Sequence, residues 1–283
     1  MIRQAFSDFI DFLLNYRLNR KFLRFLVWLF RPKKDVKIKV QGQTMYACSF
    51  DRVVALYLRK FSFLERSETD LFKSFVRKGM MVVDIGANLG YYTLIAADLV
   101  GPQGKVFAFE PDPENFRLLL KNIEANGYRN VKAVNQAVTD KTGKAELFLC
   151  EESSGSHSIH DFGEKRKSIT VSSTSLDDFL GKRFSRVDLV KIDVEGVEPI
   201  VFSGMKEIIK ANPKLVIITE FWPHALKKAG FDPADFLKTL EDQDFLIHLI
   251  NEDGKEPQII SRDDLLLRHG NKKSSINLLL KRE

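Results

Sequence analysis

The sequence predicts an α/β fold: a mostly parallel, seven-stranded sheet with helices on both faces, preceded by an N-terminal helical extension and a hairpin. Three observations predict it. Apolar runs of strand length alternate with helix-length amphipathic segments, the pattern of repeated βαβ units. The run Val82-Val83-Asp84-Ile85-Gly86-Ala87-Asn88-Leu89-Gly90-Tyr91-Tyr92-Thr93 reads as strand, glycine turn and helix, and Val106-Phe107-Ala108-Phe109-Glu110 as a second strand ending in a carboxylate. With 283 residues, 44% of them hydrophobic, the chain can bury a substantial core.

The first segment, residues 1–34, is a basic, Phe-rich extension with Ile2, Phe6, Phe9, Ile10 and Leu13 at helical spacing. Arg17, Arg20, Lys21 and Arg24 interrupt it, so no apolar run of about 20 residues exists to span a membrane. It also lacks the ordered regions of a signal peptide. Two readings stand. The extension is a helix pair packed on the main domain or on a second subunit, or an interfacial helix lying on anionic lipid with its basic residues snorkelling. The first allows a homo-oligomer through residues 1–34 of a cytoplasmic protein; the second, peripheral membrane contact. Vesicle co-sedimentation of the full chain against one starting near Asp35 separates them, and equal binding removes the lipid reading.

Residues 35–66 form an accessory segment. Val36-Lys37-Ile38-Lys39-Val40 alternates with period two, Gln41-Gly42-Gln43 turns, and Thr44-Met45-Tyr46-Ala47 returns. The main domain spans 67–283. Ser67 is the expected N-cap of a helix with Leu71, Phe72, Phe75 and Val76 inward and Gly79 at its end. A strand over 81–84 and a helix to about Val100 follow, then a strand over 105–110 and a helix from Pro113 to Asn126-Gly127. The third strand is expected over 131–135, extra strands over 145–150 and 169–172 around a polar loop, and the fourth and fifth over 187–192 and 215–219. A helix from Asp232-Pro233 and strands over 244–250 and 276–280 complete the domain, the last two as an antiparallel hairpin at the sheet edge.

Ligands of open α/β sheets sit outside the carboxyl ends of the strands. Here those ends carry Asp84, Glu110, Asn135-Gln136-Ala137-Val138, Asp193-Val194-Glu195-Gly196-Val197-Glu198 and Glu220. Gly86 and Gly90 allow a tight turn and close approach of a ligand to the backbone. Glu110 is placed to accept from both hydroxyls of a ribose. The turn is not G-x-G-x-x-G, since Asn88 stands where the middle glycine would be, and Asp84 precedes it. An acid there repels a phosphate and suits a cation. S-adenosylmethionine, with a sulfonium, an ammonium and no phosphate, fits better than NAD.

Asp193, Glu195 and Glu198 could orient a hydroxyl, take its proton, or hold a divalent cation; Glu195 or Glu198 could equally cap a helix. Asp193 is the first choice of base and His157 the second, with His160 and His224 as further histidines near the strand ends. Cys48 and Cys150 have no metal-ligand or disulfide-framework spacing, and no zinc, Walker or nucleophile-elbow motif occurs. The net charge of +6 and pI of about 9.1 do not demand nucleic acid, and no block for a flipped base amine is present.

Val83-Asp84-Ile85-Gly86-Ala87-Asn88-Leu89-Gly90-Tyr91-Tyr92-Thr93 and Leu189-Val190-Lys191-Ile192-Asp193-Val194-Glu195-Gly196-Val197-Glu198 together resemble the FkbM-type S-adenosylmethionine-dependent methyltransferases. Phe109-Glu110-Pro111, Gln136-Ala137-Val138-Thr139-Asp140 and Ser175-Leu176-Asp177-Asp178 extend the resemblance over about residues 68–223. It implies a Rossmann-like class I methyltransferase fold and methyl transfer, typically to a hydroxyl of a sugar, glycan or secondary metabolite. By the same resemblance Asp84, Gly86, Asn88 and Gly90 cradle the methionine part, with Ala87, Tyr92 and Thr93 beside them. Glu110 and Pro111 hold the ribose, Gln136 and Ala137 flank the adenine, and Asp193 and Glu195 face the methyl. The alternatives are an NAD-dependent oxidoreductase and a cofactor-binding module without chemistry.

Overall fold

The computed structural model describes residues 35–47, 66–150, 154–163, 166–181, 186–251 and 254–283. The expected extension over 1–34, and Cys48 within residues 48–65, lie outside the described residues. Among the described residues no helix is long and apolar enough to cross a membrane.

Strands β1 (Val36–Val40) and β2 (Gln43–Ala47) pair antiparallel across the expected turn, with Val40 opposite Gln43. Gln41 and Gly42 both take left-handed φ, 51° and 81°, as a two-residue hairpin turn requires. The hairpin is bound to the main domain rather than hung from it. Asn126 exchanges hydrogen bonds with Thr44 N and O, and Asn122 with Tyr46 N and O. Asp35 pairs with Arg117 and Lys121.

Helix α1 (Arg66–Phe75) turns Glu68, Thr69 and Phe72 inward. Ser67 therefore lies inside the helix rather than at its N-cap. Then come β3 (Met81–Ile85), α2 (Tyr91–Val100), β4 (Lys105–Phe109), α3 (Pro113–Ala125) and β5 (Val131–Val134). The side chain of Asp112 caps α3 by accepting from the N–H groups of Glu114 and Asn115, with Pro113 in the first turn.

Strands β6 (Ala137–Val138), β7 (Gly143–Leu149) and β8 (Lys167–Thr174) build a separate three-stranded sheet in the order β6-β8-β7. Ala137 and Val138 leave the end of β5 to pair with Ser173 and Thr174. The rest of the chain runs α4 (Leu176–Leu180), β9 (Leu189–Ile192), α5 (Glu198–Ser203), α6 (Lys206–Ala211), β10 (Val216–Phe221), α7 (Pro223–Lys228), α8 (Pro233–Glu241), β11 (Leu246–Leu249), β12 (Gln258–Ile259), α9 (Arg262–His269) and β13 (Ile276–Lys281).

The large sheet has the order β12-β11-β13-β10-β9-β3-β4-β5. It is Rossmann-like, as expected, with one correction of number and one of place. The seven expected strands are present, and the two exposed residues of β12 add an eighth at the edge. The last two long strands are not an edge hairpin. β13 inserts between β10 and β11, antiparallel to both. Leu278, Leu279 and Leu280 are all buried, and consecutive residues of a strand point to opposite faces, so both faces of β13 must be covered. The two core layers supply that, Leu278 and Leu280 belonging to one and Leu279 to the other.

The core divides accordingly. Val83, Ile85, Phe107, Phe109, Val190 and Ile192 pack on one face with α4, α5, α6 and α8. Val82, Val106, Ala108 and Leu189 pack on the other with α1, α2, α3 and the hairpin. Strand order reverses at β3: the chain steps outward through β4 and β5, then returns to lay β9 on the other side of β3. That switch point, at the carboxyl ends of β3 and β9, is where such folds open a binding crevice.

Candidate active site

A cleft opens at the switch point, lined by Gly86, Asn88, Glu110, Gln136, His157 and Asp193 among others. Its floor is the turn after β3. Gly86 has φ 79°, and a Cβ there would stand 1.8 Å from the carbonyl oxygen of Asp193, so β3 and β9 can abut only at a glycine. Asn88 (φ 50°) and Gly90 (φ 92°) continue the turn in left-handed conformations. Gly86→Ala is expected to lower stability by about 3 kcal/mol or more, from backbone strain and the forced parting of the strands. Thermal denaturation should show a fall in Tm of roughly 6–12 °C; a native Tm would contradict the described contact.

Glu110 closes the far side. Its Oε2 accepts from Asn88 N at 2.7 Å and its Oε1 from Asp112 N at 2.9 Å, which aims the carboxylate across the cleft. Burial pushes its pKa up to about 8, against those two N–H groups. The Asn115 side chain donates to it as well, and a vicinal diol in the cleft would add further donors to this desolvated group. Asp84 lies behind the turn rather than on the cleft wall. It is buried, accepts from Thr93 Oγ1 at 2.6 Å, and has its pKa raised by burial to about 6. Ala87, Gly90, Tyr92 and Thr93 are likewise buried and support the turn, while Pro111, Gln136 and Ala137 line the cleft with Glu110.

The acids of β9 and β10 gather on the opposite side. Asp193 is 41% exposed and faces the cleft. Glu195, in a left-handed conformation (φ 59°), also lines it, and burial together with Asp193 and Glu198 raises its pKa to about 8. Glu198 is buried in the first turn of α5. Its Oε1 accepts from Gly196 N at 3.1 Å, and burial raises its pKa to about 7. That is the turn-holding role, not a catalytic one. Burial and the three neighbouring acids push Glu220 well above the ordinary range. Among the described residues no group of three acid, histidine or cysteine side chains is arranged to hold a metal ion.

His157 lines the cleft, but its Nδ1 accepts from Cys150 N at 2.9 Å. A neutral imidazole that accepts at Nδ1 carries its proton at Nε2 and offers a donor there. The geometry thus ranks Asp193 above His157 as a base. His160, which bonds Lys228 O, and His224 do not line the cleft. Residues not singled out in the sequence complete the site: Leu147, Ser158 and Ile159 form a wall from the small sheet and its loop, and Lys191 lies beneath Asp193. A lysine inside an otherwise apolar central strand was the available signal for the last.

Affinity for a ribose-bearing ligand should follow the charge of Glu110. Ribose hydroxyls bind its ionised form more strongly, and that form grows as pH rises towards about 8. Calorimetric titration with S-adenosylhomocysteine is expected to show binding tightening up to roughly tenfold per pH unit from 6 to 8, with proton release. A pH-independent constant would count against the assignment. In the ligand-free chain the sign is opposite for stability: a carboxyl raised from 4.5 to about 8 stabilises fully below pH 4.5, and that contribution is lost as pH rises through 8.

The sequence model of the methyltransferase FkbM domain matches residues 84–247. A protein named methyltransferase 1 from Beauveria bassiana is 29% identical over 146 residues, which is 44% of this chain and 58% of the relative. The hexuronic acid methyltransferase AglP of Haloferax volcanii is 25% identical over 182 residues, 63% of this chain and 69% of that protein. The crystal structure of the methyltransferase FkbM from Methylobacillus flagellatus aligns with a TM-score of 0.43 at 15% identity, covering 75% of this chain and 50% of that one. The chain thus spans 58% of the length of the first of these relatives.

Proposed function

This chain belongs to the methyltransferase FkbM family, and on that premise we propose that it methylates a hydroxyl oxygen of a sugar, glycan or secondary metabolite. Its cofactor is S-adenosylmethionine, which supplies a methyl group already activated on a sulfonium sulfur. Family membership sets aside the dinucleotide reading. The observation that carries the hydroxyl reading is Asp193, a half-exposed carboxylate on the cleft wall, held by Lys191 and facing the space beside Glu110.

The residues divide the work. Glu110 holds the ribose hydroxyls and the turn of Gly86 and Asn88 lies against the methionine part. Gln136 and Ala137 border the cleft where the adenine would lie. Asp193 accepts the hydrogen bond of the acceptor hydroxyl, aligns its oxygen with the methyl, and holds the proton as the new bond forms. Glu195, largely protonated near neutral pH, donates to a second acceptor oxygen. The wall of Leu147, Ser158 and Ile159 restricts water. The hexuronic acid methyltransferase among the relatives favours a sugar acceptor, and the partner in this reading is a small molecule or glycan rather than a nucleic acid.

Two measurements test it. S-adenosylhomocysteine is expected to raise the Tm of the full chain and NAD to leave it unchanged. Incubation of methyl-labelled donor with a panel of sugars and glycans, followed by acid hydrolysis, is expected to yield label co-migrating with O-methyl monosaccharides. Label found only in nitrogen- or carbon-linked products would overturn the oxygen assignment.

A further inference from the structure

Lys191 stands in the central strand β9, 2% exposed. Its Nζ is 3.2 Å from Glu68 Oε1, 3.2 Å from Asp193 Oδ2 and 4.6 Å from the centre of the Tyr92 ring. Glu68 comes from α1 and is equally buried; Asn277 of β13 donates a hydrogen bond to its Oε2. Glu68 and Asn277 both fall outside the family segment of residues 84–247. Asp84, on the neighbouring strand β3, contributes a further favourable charge.

A buried ammonium needs a counter-charge, and Glu68 alone meets that need. Lys191 does more: it reaches past its partner to the carboxylate on the cleft wall. An ammonium at this place carries a hazard, because the donor brings a sulfonium to the same region and like charges repel in a low-dielectric interior. The buried Glu68 removes it by making the pair neutral overall.

We propose that Lys191 is a positioning residue that fixes the Asp193 carboxylate at the methyl-transfer end of the cleft, and that Glu68, held by Asn277, cancels its charge so that a cationic donor can bind beside it. The proposal rests on the reading that Asp193 faces the transferred methyl. It makes donor-charge discrimination depend on helix α1, an element outside the family segment.

The test compares S-adenosylmethionine, a sulfonium, with S-adenosylhomocysteine, an uncharged thioether, by calorimetry on the full chain. In Glu68→Gln the site loses one negative charge while Lys191 keeps Asp193 as its partner, and the affinity for the sulfonium is expected to fall at least about tenfold relative to the thioether. In Lys191→Met the glutamate is unmasked, and the ratio should move the opposite way. The double variant should return the ratio to within about threefold of native, but with kcat at least about tenfold lower and donor KM little changed. A lost structural contact would weaken both ligands alike. Equal effects on the two ligands in either folded single variant overturn the proposal. Should both single variants fail to fold, the double variant decides: native kcat overturns the positioning role, and a tenfold fall at native donor affinity supports it. Failure of the native chain to bind either ligand would sink the underlying site assignment instead.

Discussion

Asp193→Asn is expected to lower turnover by roughly 10²–10⁴-fold while S-adenosylhomocysteine binds within about threefold of the native affinity. The substitution is nearly isosteric. An asparagine oxygen can still accept from Lys191 Nζ, now 3.2 Å from Asp193 Oδ2, so the buried ammonium keeps a partner and the strand end keeps its place. What is lost is the negative charge that draws a proton from the acceptor hydroxyl. An alcohol is a weak nucleophile near neutral pH, so that loss falls on kcat rather than on donor binding. Steady-state kinetics with a saturating sugar acceptor, beside calorimetry, separates the two. Native turnover in the variant would move the proton acceptor elsewhere.

Glu110→Ala acts on the other half of the reaction. Each hydrogen bond to a charged carboxylate contributes about 1.5–3 kcal/mol, and in the proposed site two ribose hydroxyls meet this one. Ionising a group whose pKa is about 8 offsets part of that gain at neutral pH. The net expectation is a donor Kd weakened by roughly 10²-fold, and loss of the pH dependence described above. The alanine also strips acceptors from Asn88 N and Asp112 N, so a modest fall in Tm should accompany it. Calorimetry with S-adenosylhomocysteine decides the point. A Kd within about threefold of native would show that Glu110 serves the turn and not the donor.

Much of this site could be read from the chain because the turn after β3 and the end of β9 are each local. Gly86, Asn88, Asp193 and Glu195 sit within short stretches whose residue types state their conformation: a glycine where a Cβ would strike Asp193, an acid at a strand terminus. The strand and helix runs from β3 to β5 were legible for the same reason. The roles hardest to read depend on residues distant in sequence. Glu68 looked like part of a helix start, yet it meets Lys191 123 positions later and Asn277 209 positions later. Lys191 stands in an apolar strand, and no local pattern tells which distant acid it meets. The place of β13 could not be read because pairing between strands is non-local, and an apolar run of that length is equally consistent with an edge. For His157 the sequence shows an imidazole, and only the position of Cys150 N reveals which ring nitrogen is engaged.

The insertion of β13 between β10 and β11 has a consequence for biogenesis. A ribosome delivers residues 276–281 after every other strand of the large sheet, so the neighbours that finally flank them must wait with unsatisfied edges. Until that ribbon arrives, the acid on α1 also lacks its amide clamp. The nascent polypeptide therefore cannot complete its catalytic architecture vectorially. Premature termination before position 276 would release a product with open strand borders, a species for chaperones and proteases rather than a shortened enzyme.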